Sequence, residues 1–135
     1  MLDSWINDSP LYIDVSIVNP IASAYIRSAQ TVAGAITRRE DEKRTKYRAQ
    51  ITGPDAKRFQ PVVCETFGGW KKESILLFKL IAEKVAKRKF TDAKSEFRIL
   101  MTKLSCKLQK YNAHMLKSRM YAFSSSLLVI APATV

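Results

Sequence analysis

Residues 11–20 read LYIDVSIVNP. Leu11, Ile13, Val15 and Ile17 alternate with Tyr12, Asp14, Ser16 and Val18, which is the period-two pattern of a β-strand. Asn19-Pro20 ends it, since proline has no N–H to give to a ladder. A strand this apolar with a carboxylate at its centre has two explanations. Asp14 is a solvent-facing position on a half-buried strand, which is the usual case, or it is an acid held by a rigid element as a metal ligand or catalytic group.

NDSP at residues 7–10 is a turn signal, so residues 4–18 are expected to form a hairpin with a short strand near Trp5-Ile6. IASAYIRSAQ, residues 21–30, is rich in small residues and reads as a short helix or a loop. Residues 32–51 read as a helix charged from Arg38 onwards, residues 52–57 as a break, and RFQPVVCETF, residues 58–67, as a second strand with Pro61 near its start. Gly68-Gly69 closes that strand, and residues 71–88 form a helix with Ile75, Leu76, Leu77, Phe78, Leu80 and Ile81 spread over more than one side, so it packs deeply. Thr91 or Asp92 can cap a last helix over about residues 92–120. On it Phe97, Leu100, Met101, Leu104, Leu108, Tyr111 and Met115 form one stripe at helical spacing, expected to be core. The expected architecture is α/β: two or three strands packed by helices, with basic helices at the C-terminal end. It forms one domain over residues 1–120 followed by a tail, 121–135, of unknown role. The LLVIAPATV run of that tail is far short of the ~20 apolar residues that cross a bilayer, so no membrane partner is expected.

The net charge is +11 and it is uneven. Residues 1–65 hold nine Lys/Arg against eight Asp/Glu, and residues 66–135 hold fourteen against four. A basic C-terminal half points to a polyanion, nucleic acid first and an anionic membrane surface second. Lys103, Lys107, Lys110 and Lys117 share one helical face; such a face is ordinarily solvated surface, and in this chain it is also the best candidate for phosphate contact. In FGGWKK two glycines precede a helix that starts with Lys71 and Lys72; backbone amides there can hold a phosphate, although a plain strand-to-helix turn explains the glycines as well.

Cys64, Cys106 and the single His114 have no zinc-site spacing, and nothing matches a Ser–His–Asp or Cys–His triad. Asp14 on one strand, Glu65 at the end of another, and EDEKRTKY between them are more suggestive. Glu40, Lys43 and Tyr47 share a helical face. Two strand-end carboxylates can hold a divalent metal, and a lysine can orient water and stabilise charge developing on a phosphate. These are parts for metal-assisted phosphodiester hydrolysis. The plainer account makes Glu40–Lys43 a surface ion pair, Tyr47 packing and Glu65 an exposed residue.

YIDVSIVNPIASAY, EDEKRTKY and FQPVVCETFGGW, in this order and separation, resemble the restriction-endonuclease-like, PD-(D/E)XK-type C-terminal domain of non-LTR-type retrotransposon polyproteins, downstream of the reverse transcriptase. The likeness covers roughly residues 5–118. It implies that Asp14 is the second acidic ligand of the signature. The signature lysine two residues on is replaced by Ser16, and Lys43 on the helix stands in for it. Tyr47 lies beside Lys43, Lys46 contacts phosphate, and Glu65 lies near the site, so that Asp14 and Glu65 would hold Mg²⁺ or Mn²⁺ against DNA. The family's first acidic ligand would fall before Met1. The resemblance therefore implies an N-terminally truncated endonuclease domain, weak or inactive alone, whose intact parent nicks DNA inside the cell, in the nucleus of a eukaryotic host. A non-catalytic basic nucleic-acid-binding module is the alternative.

Overall fold

A computed structural model describes residues 11–51 and 58–128, with side chains as far as Tyr121. It is mixed α/β, with three α-helices and one two-stranded parallel sheet. The strand β1 spans Tyr12–Val18, helix α1 spans Gly34–Tyr47, strand β2 spans Phe59–Glu65, helix α2 spans Lys72–Lys89, and helix α3 spans Ala93–Leu128. β1 and β2 pair in parallel from Tyr12↔Phe59 to Val18↔Glu65, with Asp14 opposite Pro61 and Ser16 opposite Val63. Parallel strands need a crossover, and α1 supplies it. The first strand and the turn of the hairpin expected over residues 4–18 lie outside the described residues; its second strand is β1.

The alternation of β1 is as expected, but its orientation is not. Val18 packs with Ala35 and Ile36 of α1 and with Val63 of β2, so the face carrying Asp14, Ser16 and Val18 is turned toward the helix. Ile13, Val15 and Ile17 are exposed. The apolar alternate residues are therefore outside and the acid inside, because α1 is the only helix in extensive contact with β1 among the described residues and it covers the other face. β2 is buried on both faces from Phe59 to Cys64. Burial, together with the negative charge of neighbouring Glu65, pushes the Cys64 thiol up to about 11.

Between β1 and α1 the chain makes a series of turns and a single 3-10 turn at Ser28–Gln30 rather than a regular helix. Gly34 opens α1 where this segment crosses it. A Cβ there would lie 1.8 Å from the Ser28 carbonyl oxygen, so no other residue fits without moving the backbone. α1 stops at Tyr47, short of residue 51, and the chain continues in turns closed by Tyr47 O with the N–H groups of Gln50 and Ile51. Asp92 caps α3 as expected, its Oδ2 accepting from the Ser95 N–H at 2.7 Å.

The chain divides into two compact units, residues 1–100 and 101–135, and α3 runs from the first into the second. Of the expected core stripe of α3, Leu108 is buried and Phe97, Leu100, Met101 and Leu104 are half-buried; Tyr111 and Met115 are exposed, as are Leu116, Met120 and Tyr121. Helical spacing identifies a shared face, but burial needs a covering element. The tail expected from residue 121 begins as the last turns of α3, up to Leu128. No helix among the described residues is long and apolar enough to cross a membrane.

Candidate functional site

The site is built on the inner face of β1 and the facing side of α1. Asp14 lies mid-strand, and its Oδ2 is 2.8 Å from Nζ of Lys43, with side-chain exposures of 20% and 14%. The approach is close but not aligned as a hydrogen bond, so the contact is an ion pair. β1 contributes the acid because the strand holds its even residues toward the helix, and α1 contributes the amine from its third turn.

Glu40, three residues before Lys43, is only 4% exposed and pairs with Lys71 through Oε2 at 2.9 Å. The surface pair Glu40–Lys43 does not form; each partner reaches a different element, Lys43 to β1 and Glu40 to the segment that precedes α2. Glu40 Oε1, Ser16 Oγ and Asp14 Oδ2 are buried and lack a hydrogen-bond partner. Unsatisfied buried polar atoms are few in folded proteins, and each calls for an explanation. Here Asp14 and Ser16 lie on the helix-facing side of β1, and Glu40 lies on α1. Sequence spacing had placed Glu40 on the right helical face; its burial and its partner Lys71, thirty-one residues away, left no local signal.

The remaining expected residues separate. Tyr47 packs on Phe59, ring centroids 5.2 Å apart, one turn beyond Lys43. Lys46 is exposed, its Nζ 5.3 Å from the centre of the Tyr47 ring. Lys71 is held by Glu40, whereas Lys72 is exposed. Lys103, Lys107 and Lys110 are exposed on α3 in the second unit.

Glu65 ends β2 and folds over Gly69, where a Cβ would come within 2.7 Å of its Oε2. In the register Asp14 lies opposite Pro61, and Glu65 is four residues further along. At about 3.3 Å per residue the two positions are ~13 Å apart. Carboxylates that share a Mg²⁺ each approach it to about 2 Å. The expected pairing of Asp14 with Glu65 on one ion therefore does not fit, and the described residues contain no group of three or more His, Cys, Asp or Glu able to hold a metal. Asp14 remains as a single carboxylate donor, balanced by Lys43.

Comparison of the chain with protein-family models, with curated proteins and with solved structures gave no match.

Proposed function

We propose that this chain carries part of the catalytic constellation of a retroelement endonuclease domain, one that nicks DNA by metal-dependent phosphodiester hydrolysis and is weak or inactive alone. The observation that carries the proposal is the Asp14–Lys43 pair: the strand acid and the helix amine that the resemblance assigns to one site meet at 2.8 Å, largely buried, from elements far apart in sequence. A divalent ion, when bound with a DNA phosphate, would supply Lewis-acid polarisation of that phosphate. Asp14 would give one carboxylate to it. Lys43 would orient the attacking water and stabilise charge on the phosphoryl oxygens. Lys46, exposed one turn away, would meet the flanking backbone.

The alternative, a non-catalytic basic module, is favoured by a different observation. No Asp or Glu occurs from Phe97 to the end of the chain, while Arg98, Lys103, Lys107, Lys110, Lys117 and Arg119 do. Asp14 separates the two. In the endonuclease, Mn²⁺ added to the protein with a duplex oligonucleotide broadens the amide resonances of Asp14 and Val15, and Asp14→Asn removes the effect. Any Mn²⁺-dependent nicking of supercoiled plasmid falls at least about ten-fold in the same variant, as for loss of an electrostatic catalytic group. In the binding module, neither signal exists and Asp14→Asn leaves affinity unchanged or higher, since one negative charge is removed. Absence of broadening in the parent protein rejects the endonuclease.

A further inference from the structure

The turn between α2 and α3 is built in a way that folding alone does not require. Lys87, Arg88 and Lys89 close α2, Phe90 follows, and Thr91-Asp92 lead into α3. Phe90 has φ 55° and ψ 41°, the left-handed conformation in which glycine is usual because a Cβ crowds the carbonyl oxygen. Its side chain is also 97% exposed. The turn around it is locked. The Thr91 N–H donates to Ala86 O at 3.0 Å, closing α2. The Thr91 hydroxyl and the Lys89 ammonium both donate to the Glu96 carboxylate, at 2.9 and 3.2 Å, and Glu96 is buried. Asp92 caps α3. A strained residue with a wet aromatic ring is thus held rigidly outward, with exposed Lys87 and Arg88 on one side and exposed Lys94 on the other.

We propose that the α2–α3 turn is a nucleic-acid contact in which Phe90 stacks on an unpaired base while Lys87 and Arg88 hold the adjoining phosphates. It rests on the nucleic-acid reading above but not on hydrolysis. Base stacking on an aromatic ring is sequence-tolerant, and the locked backbone of the turn sets where the exposed ring is presented, so only its side-chain rotamers are ordered on binding. The charge fits a phosphate backbone: residues 84–98 carry six Lys or Arg and two acids, one of which, Glu96, is occupied inside the turn.

Phe90→Gly tests this on the whole chain, because glycine relieves the backbone strain and deletes the ring. The variant should melt at a higher temperature than the parent and yet bind a fluorescent single-stranded oligonucleotide roughly ten-fold more weakly, the loss of one base stack. Phe90→Trp should keep parental affinity, with its added indole emission quenched on binding. Lys87→Ala with Arg88→Ala should reduce the magnitude of the slope of log affinity against log salt by about 1.4. Unchanged affinity in Phe90→Gly overturns the proposal. Binding to phosphatidylserine vesicles that depends on Phe90, with oligonucleotide binding indifferent to it, overturns it in favour of a membrane contact. Mn²⁺ broadening at Asp14 reports separately on the endonuclease site, so the two proposals fail independently.

Discussion

Asp14 sits in the middle of β1 with its side chain one-fifth exposed, and Lys43 is the cation that makes this tolerable. Removing the amine leaves a largely desolvated carboxylate uncompensated, and a group of that kind costs about 1–3 kcal/mol. Lys43→Met should therefore lower the stability by that order in urea unfolding. Asp14→Asn should do less harm, since a neutral amide is cheaper to desolvate than a charge. The double variant should be more stable than the sum of the two losses, with a coupling energy of about 0.5–2 kcal/mol. Additive losses would mean that the two side chains do not interact in solution. Alternation along the strand made Asp14 legible as a position distinct from Ile13, Val15 and Ile17. Which side is inside was not legible, because the period of a strand is the same from either face, and the apolar face is exposed here.

At the scale of elements, the turn segment between β1 and α1 depends on one side chain of α1. The Tyr25 hydroxyl donates to Glu42 at 2.7 Å, Arg39 reaches the same carboxylate oxygen at 3.0 Å, and Arg38 lies 5.2 Å from the Tyr25 ring centre. The Tyr25 hydrogen bond first, and that from Arg39 second, hold the Glu42 carboxyl below its ordinary range. Its contribution is therefore complete above the unfolded value, near 4.5, and is lost as the pH falls through the lower folded value. Burial, and then the bond to Glu42, raises the Tyr25 hydroxyl, so that group's contribution is complete below pH 10 and declines above it. Between these limits the amides of Ile26 and Ala29, which donate to Ala22 and Tyr25, should be protected from hydrogen exchange. Protection should fall as the pH drops below 4.5 through the lowered Glu42 range, after correction for the intrinsic rate, and Tyr25→Phe should remove most of that pH dependence. Protection that stays constant across the acid titration of Glu42 would dismiss the clamp. The small residues of 21–30 gave no period to follow; local turn hydrogen bonds order the backbone, and side chains fourteen or more residues away tie the segment to α1.

At the scale of the molecule, the charge asymmetry along the chain bears on binding. The lysine face of α3 lies in the second unit, exposed, and away from any acid in sequence. Each phosphate neutralised adds about 0.9 to the salt slope of duplex binding. Lys103→Ala, Lys107→Ala and Lys110→Ala together should reduce that slope by two to three while leaving Mn²⁺ broadening at Asp14 intact. A slope unchanged by the triple substitution would return these lysines to ordinary solvated surface. The α/β class, the strands at 12–18 and 59–65, the three long helices and a cap at Thr91 or Asp92 for the last of them were legible from the sequence, since periodicity, proline and caps act over a few residues. The parallel pairing, the outward turn of the Ile13–Ile17 face, the separation of Glu65 from Asp14, and the crossed pairs Lys43–Asp14 and Glu40–Lys71 were decided only in the tertiary structure. Each depends on which surface a helix comes to cover and on how two strands align, and those are set by packing between segments distant along the chain.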